Sequence, residues 1–455
     1  MKRVAEHLGS TLACALAAAS FCCGAEWQPP RIVKIEAADA WASLPLTYAS
    51  WSSRKVGGWP MAILARPGDL LMSEKAIVPY LNTDGARLKL EREDGILRLG
   101  ETVVSLWLSG SSKAWQWLEG ASRQELSAIR FVSLGKRVPL ERLPMLWPLA
   151  ARSPHAGLDF EAVKGAPDVL ALFEPRWLAA PIRAITEKPG ATLPRLRQVE
   201  CLILNIEDAR EPTVFIKDLP KLRTLAILGW NPKRLGTLSV DNPAVRALWL
   251  SGGFANLARL KAPENLRELY LLGSKELSDI TALERFPNLQ ILKLTGCEKL
   301  EDLEPLAGLR HLRWLGLPVN TTQEQLATII RQHPDVKVVE LLGCKKVKDL
   351  GVLKGLREPF AVVAVGDHDL EPLKGLKTLR FLGLDAEVFD EKPEKIRELQ
   401  KALPQCVIAP CGICLGSGWI LLLAATVAFA WAAKEVRARW KSPTARPQRL
   451  NRRGR

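Results

Sequence analysis

Three small groups of side chains have the composition of a reactive site. Asp367, His368 and Asp369 are consecutive and put two carboxylates beside an imidazole, donors that suit a divalent metal. His155 with Asp159 is a thinner version of the same set, and Cys411 with Cys414 has the C-x-x-C spacing of a redox dithiol. Each also has a plainer reading. The Asp-His-Asp triplet follows an apolar strand pattern where the chain turns, a place for solvated polar residues. The C-x-x-C is single, and Cys414 belongs to an apolar segment in which a thiol packs or faces lipid. The chain has no H-E-x-x-H, no G-x-S-x-G, no Walker-type loop and no paired C-x-x-C. The residues therefore predict no catalytic group, no bound metal and no cofactor.

Composition narrows the class further. Of 455 residues, 47% are hydrophobic and 25% charged, the proportions of a folded chain. The formal charge is +15, and nine Lys or Arg against one Glu lie between Lys434 and Arg455. A nucleic-acid binder would gather basic residues on a folded face. Here they gather in a tail behind an apolar segment, which speaks for membrane topology and against nucleic acid. The nine cysteines outline no disulfide framework. Only Cys406 and Cys411 are placed for a local bridge, and free thiols are the equal alternative.

Both ends read as membrane-directing. Residues 1–25 run from Met-Lys-Arg through an apolar stretch, Leu8 to Phe21, to the small residues Cys23, Gly24 and Ala25. That order is a secretory signal peptide, with an uncleaved anchor or a lipoprotein at Cys22 as alternatives. Ile413 to Ala433 holds no charged residue, and Trp419 and Trp431 stand near its ends. As a helix it would span about 30 Å, the thickness of a bilayer's hydrocarbon core. The basic residues that follow put the tail, residues 434–455, in the cytoplasm. Gly412 and Gly416 form a G-x-x-x-G pair, read either as ordinary small residues or as a weak homodimer contact through the helix.

The segment between the ends repeats. L-x-x-L-x-L occurs at Val199/Leu202/Leu204, Leu222/Leu225/Ile227, Val245/Leu248/Leu250, Leu266/Leu269/Leu271, Leu289/Leu292/Leu294 and Leu312/Leu315/Leu317. Val336/Val339/Leu341, Phe360/Val363/Val365 and Leu379/Leu382/Leu384 continue it, with 19 to 24 residues between successive first positions. Val103/Leu106/Leu108, Ile129/Val132/Leu134 and His155/Leu158/Phe160 extend it upstream, while residues 161–195 break the rhythm. Leucines two apart in a strand point to one side. Three buried apolar side chains, at about 1.5–3 kcal/mol each, do not offset the ordering of some twenty residues at about 1–2 kcal/mol each. One unit cannot fold alone, so the array must be cooperative. "RLKLEREDGILRLG" reads as a hairpin about an Asp-Gly turn.

This pattern resembles the leucine-rich repeat family, and "FPNLQILKLTGCEKLEDLEPLAGLRHLRWLGL" resembles its bacterial, internalin-like subclass with repeats near 22 residues. The resemblance implies an α/β repeat: a leucine-rich-repeat solenoid with a parallel β-sheet on its concave face, here joined to one C-terminal transmembrane helix. The expected organisation is a signal peptide (1–25), a cap with a hairpin over the first open edge (26–100), irregular repeats (101–195), regular repeats (196–400), a juxtamembrane segment (401–412), the membrane helix (413–433) and the tail. In the family's geometry Ser274, Cys297, Asn320 and Cys344 are structural residues that bond neighbouring backbone, which outweighs the glycosylation sequon Asn320-Thr321-Thr322. Residues beside the strand leucines face the concavity, Val362 among them. The expected ligand-contacting residues are Trp107, Trp249, Glu268, Tyr270, Lys293, Trp314 and Phe381, with Trp249, Tyr270 and Trp314 as exposed aromatic anchors.

The expected function is non-enzymatic: a membrane-anchored, extracytoplasmic recognition protein that binds another protein or a surface glycan through its concave face. The alternative is an assembly subunit whose membrane helix carries specificity. The bacterial cell envelope, with the repeats in the periplasm, is the expected location.

Overall fold

In the computed structural model the described residues are the strands at 30–34, 47–56, 59–65, 70–73, 76–79 and 90–93, and then residues 95–411 apart from 100–101, 111–112, 130, 136–137, 161–165, 182–192, 206–212, 231–236 and 253–254. The leader, the apolar segment 413–433 and the basic tail lie outside them. Among the described residues no helix is long and apolar enough to cross a membrane.

In chain order the strands are β1 (Pro30–Lys34), β2 (Thr47–Val56), β3 (Trp59–Ala65), β4 (Leu70–Ser73), β5 (Ala76–Pro79), β6 (Leu90–Glu93), β7 (Ile96–Leu99) and β8 (Thr102–Leu108). The repeats supply β9 (Phe131–Leu134), β10 (Gly157–Phe160), β11 (Trp177–Pro181), β12 (Cys201–Asn205), β13 (Thr213–Lys217), β14 (Thr224–Trp230), β15 (Thr237–Asp241) and β16 (Ala247–Gly252). Then follow β17 (Leu260–Lys261), β18 (Glu268–Leu272), β19 (Ile291–Lys293), β20 (Trp314–Gly316), β21 (Val338–Leu342), β22 (Ala361–Val365), β23 (Phe381–Asp385) and β24 (Val407–Cys411).

Sixteen of these make one sheet, in the order β6 to β12, β14, β16 and β18 to β24. The first two pairings are antiparallel, and every later one is parallel. Strands β13, β15 and β17 form a short outer sheet on three successive return segments. Later returns wind into 3-10 turns at Thr281–Arg285, Glu304–Gly308, Leu350–Gly355 and Glu371–Gly375, and into the helix Gln323–Gln332. Thr322 starts that helix with a capping box to Gln325, and Leu326, Ile329 and Ile330 are its buried face. Together these elements make an α/β repeat solenoid.

The core lies between strands and returns. Leu202, Leu225, Leu248, Leu269, Leu292 and Leu382 are wholly buried. From β11 onward to β22, repeats are tied by a forked contact just before the concave strand. Arg176 O accepts both Glu200 N–H and Cys201 N–H, and the pattern recurs at Glu200, Arg223, Arg246, Arg267, Gln290, Arg313, Lys337 and Phe360. Neighbouring strands stand about 4.8 Å apart, so the same repeat position recurs at that interval. After β19 and β21 the chain turns through Gly296 (φ 79°) and Gly343 (φ 75°), where a side chain would be strained.

Several expectations change. The repeat read as Phe360/Val363/Val365 is one residue out of phase. Val339 pairs with Val362 and Leu341 with Ala364, so Val362 and Ala364 point into the core and Val363 into the concavity. A slip of one residue reverses every side chain in a strand, and three consecutive small apolar residues disguised it. The irregular stretch 161–195 contains β11, whose Leu178 and Ala180 are buried. The array also runs one strand beyond residue 400: Leu382 pairs with Ile408 and Leu384 with Pro410, so Ile408 and Pro410 take the two inward strand positions, with buried Leu403 and Cys406 before them. The N-terminal block divides. The hairpin β6–β7 extends the first edge of the sheet, whereas β3 lies against β24 and β2 against the helix Ala386–Glu391, at the opposite end. Both ends of a solenoid expose backbone edges, and this chain uses separate parts of its N-terminal block at the two ends.

Cys406 is a free thiol. Cys297 and Cys344 are buried, their thiols donating to Leu271 O (3.2 Å) and Pro318 O (3.3 Å). Asn320 Nδ2 donates to Glu298 O in the same manner. Burial pushes Cys297, Cys344 and Cys406 from 9.0 up to about 12. The folded state thus holds these protons more tightly than the unfolded chain. The stability this confers is full below pH 9 and is lost as pH rises toward 12, by about 1.4 kcal/mol per pH unit and thiol. Denaturant melts of Cys297→Ala should show a shallower alkaline loss than the parent, and equal slopes would refute the assignment.

Candidate functional site

Strand register sorts the concave side chains into two rows. One runs Cys201, Thr224, Ala247, Glu268, Ile291, Trp314, Val338, Ala361, Phe381 and Val407. The other runs Ile203, Ala226, Trp249, Tyr270, Lys293, Gly316, Glu340, Val363, Gly383 and Ala409. Upstream, Trp107 stands in line with the second row and Phe131 with the first.

The centre of these rows is a packed cluster of rings and charges. Trp249 and Tyr270 are direct neighbours and stack at 3.7 Å between ring centroids, 11° from parallel. Lys293 Nζ lies 5.6 Å from the Tyr270 centroid and 4.0 Å from that of Trp314, so its cation faces two π clouds. The same Nζ donates to Glu340 Oε1 at 2.9 Å, and Trp314 Nε1 donates to that oxygen at 2.9 Å. Tyr270 Oη donates to Glu268 Oε2 at 3.1 Å.

Lys293 and Glu340 are two strands apart, and what lets them meet is Gly316 between them. A Cβ there would stand 3.2 Å from Glu340 Oε2 and 3.2 Å from Thr295 Oγ1. The device recurs at Gly157, where Phe131 on one neighbour and Trp177 on the other meet at 4.7 Å between centroids.

Of the seven side chains expected to contact a ligand, Trp107 is 37% exposed and Glu268 half-buried, whereas Trp249, Tyr270, Lys293, Trp314 and Phe381 are buried. The expectation that Trp249, Tyr270 and Trp314 stand exposed is therefore corrected. At strand spacing, wide rings and a long lysine in successive repeats pack on one another and on the paired carboxylate. Glu340 belongs to this cluster; the sequence pattern puts it on the concave face, but not among the expected ligand contacts. The available signal was a carboxylate and a lysine at equivalent repeat positions, with glycine between.

The other reactive-looking groups are held separately. His368 Nδ1 is 2.8 Å from Val347 O, Asp367 pairs with Lys348 at 3.3 Å, and Asp369 Oδ1 accepts Glu371 N–H at 3.1 Å. His155 Nδ1 is 2.9 Å from Glu174 O, and Asp159 accepts from Ser133 at 3.0 Å. His333 is buried, and desolvation holds its imidazole below the ordinary range.

The sheet, the repeat and the forked contacts define a parallel-sheet α/β solenoid. No protein-family model and no curated protein sequence matches the chain. Among solved structures, the Rad7–Elc1 complex of yeast is similar with a TM-score of 0.35 and 12% identity, covering 58% of this chain and 73% of that one. A leucine-rich-repeat protein of Leptospira interrogans is similar with a TM-score of 0.29 and 15% identity, covering 66% and 99%.

Removing one partner of the buried pair strands the other's charge. Lys293→Met or Glu340→Leu alone should therefore cost about 3–5 kcal/mol of folding free energy, while the double variant should return to within about 1 kcal/mol of the parent. Additive losses in a denaturant double-mutant cycle would show that the pair is not coupled.

Proposed function

We propose that this chain is a non-catalytic recognition protein whose solenoid binds another protein outside the cytoplasm, held to a membrane by residues 413–433. The observation that carries the reading is the continuous parallel pairing of the repeat strands. It presents equivalent positions of successive repeats side by side every ~4.8 Å, a long surface on which a partner can be read residue by residue. The leader pattern in residues 1–25, the apolar stretch and the basic tail support the anchoring and the orientation. The bacterial-looking repeats, in the internalin-like manner near 22 residues, favour a periplasmic domain on an inner membrane. In this reading Trp107 and Glu268 contact the partner from the concave side. Trp249, Tyr270, Lys293, Trp314 and Phe381 form the packed floor that fixes its shape, and the Gly412/Gly416 pair contributes at most a weak homodimer.

The experiment is an anchor exchange. Residues 413–455 are replaced by an unrelated single-span helix with a basic tail, and proteins near the repeats are captured by proximity labelling in intact cells. Retention of the partner set is the expected result. Loss of the set, with the repeats still folded, would transfer specificity to the helix and defeat the proposal. In the parent, Trp107→Ala with Glu268→Ala should reduce labelling of the principal partner at least fivefold, with little change in melting temperature.

A further inference from the structure

The residue before each concave strand, the one whose carbonyl forms the forked contact, is repeatedly basic. In strand order these residues are Arg176, Glu200, Arg223, Arg246, Arg267, Gln290, Arg313, Lys337 and Phe360, followed by Arg380, whose carbonyl accepts Val407 N–H alone. Successive members belong to hydrogen-bonded strands, so they form a line along one rim of the solenoid with about 4.8 Å between rungs. Arg223, Arg246 and Arg267 are adjacent rungs. An open cleft lies on this stretch, lined by Glu200, Pro220, Lys221, Arg223, Ala244 and Arg246.

On either side of the middle, Arg176 and Lys337 are neutralised by the chain's own acids, while Arg380, the last rung, donates to the backbone carbonyls of Lys377, Thr378 and Leu379. Arg176 faces Glu200 at 3.9 Å, Lys337 pairs with Glu358 at 2.8 Å, and nearby Arg357 pairs with Asp335 at 2.9 Å. The middle is not. Arg223 and Arg267 are exposed, and Arg246 and Arg313 donate only to backbone carbonyls of Pro243, Val245 and Leu312. None of the four pairs with a carboxylate among the described residues. Like charges on adjacent strands repel, a cost that the repeats bear at three consecutive rungs. Backbone bonds orient the guanidinium of Arg246, and a guanidinium's fork matches a carboxylate.

We propose that this rim, from Arg223 to Arg313, is a docking surface for an acidic segment of a protein partner, whose carboxylates occupy the rungs that the chain leaves unneutralised. This rests on the reading of the solenoid as a protein-recognition body. Carboxylates are the favoured chemistry because the chain's own Glu200 and Glu358 already face the rungs Arg176 and Lys337. A single-stranded nucleic acid would also need exposed rings for base stacking, and the rim's one aromatic, Phe360, is half-buried.

The test uses the full chain in zwitterionic-lipid nanodiscs and a fluorescein-labelled Glu-Ala alternating peptide of about twelve residues, long enough in extended form to span the rungs. Saturable binding is expected, weakening as salt rises. The triple variant Arg223→Gln/Arg246→Gln/Arg267→Gln should bind at least tenfold more weakly. A control of equal charge change away from the row, Lys345→Gln/Lys346→Gln/Lys354→Gln, should bind within twofold of the parent. Since Arg246 also holds backbone carbonyls, Arg223→Gln and Arg267→Gln are measured singly beside thermal melts, and each should weaken binding at an unchanged melting temperature. Equal loss in rim and control variants, or none in either, would overturn the proposal. So would a rim-dependent response to a sulfated oligosaccharide, an oligonucleotide or phosphatidylserine vesicles in the absence of peptide binding. Peptide binding together with a failed anchor exchange would leave the rim standing and remove only the recognition reading.

Discussion

The structure depends on one backbone contact made again and again along the regular repeats: a carbonyl before the concave strand that accepts two N–H groups from the next repeat. From Arg176 to Phe360 this fork passes without a break. It sets the phase of each strand against its neighbour, and phase decides which side chains enter the core. Because a single repeat buries too little to fold alone, the fork and the leucine core are mutually dependent. Their cooperation extends to the last strand, Val407–Cys411.

Constant phase has a chemical consequence. Residues 20 to 26 apart in sequence become neighbours about 4.8 Å apart, and side chains two repeats apart touch if the rung between them is empty. Gly316 is such an empty rung, and across it Lys293 reaches Glu340. A lysine and a glutamate 1% and 2% exposed would be costly singly. Joined to each other, to two rings and to an indole N–H, they become a fixed part of the floor.

Legibility differed with the range of the interaction. The strands of β12, β14, β16 and β18 to β21 were readable because leucine two apart on a strand is a local signal. The strand Ala361–Val365 was readable, but its phase was not, since Ala361, Val362 and Val363 are interchangeable by pattern. Rungs at Leu178/Ala180 and Ile408/Pro410 were hidden by an alanine and a proline that burial accepts as readily as leucine. The register puts all seven expected residues on the concave side, yet the burial of Trp249, Tyr270, Lys293, Trp314 and Phe381 was not visible. Exposure depends on what packs laterally and overhead. Likewise, the chain's basic excess looked tail-borne, because arginines 23 and 21 residues apart do not look like a patch until the strands are laid side by side.

The sequence by itself determined the repeat, its period and the inward face of most turns, because hydrophobic periodicity acts within a few residues of itself. It also carried the composition of both termini. Only the tertiary structure decided that Lys293 and Glu340 form a pair, that the concave rings make a floor instead of an exposed patch, and that separate arginines join into a rim. Each of these is a relation between repeats. Relations between repeats exist only once the fork has fixed how one strand stands against the next.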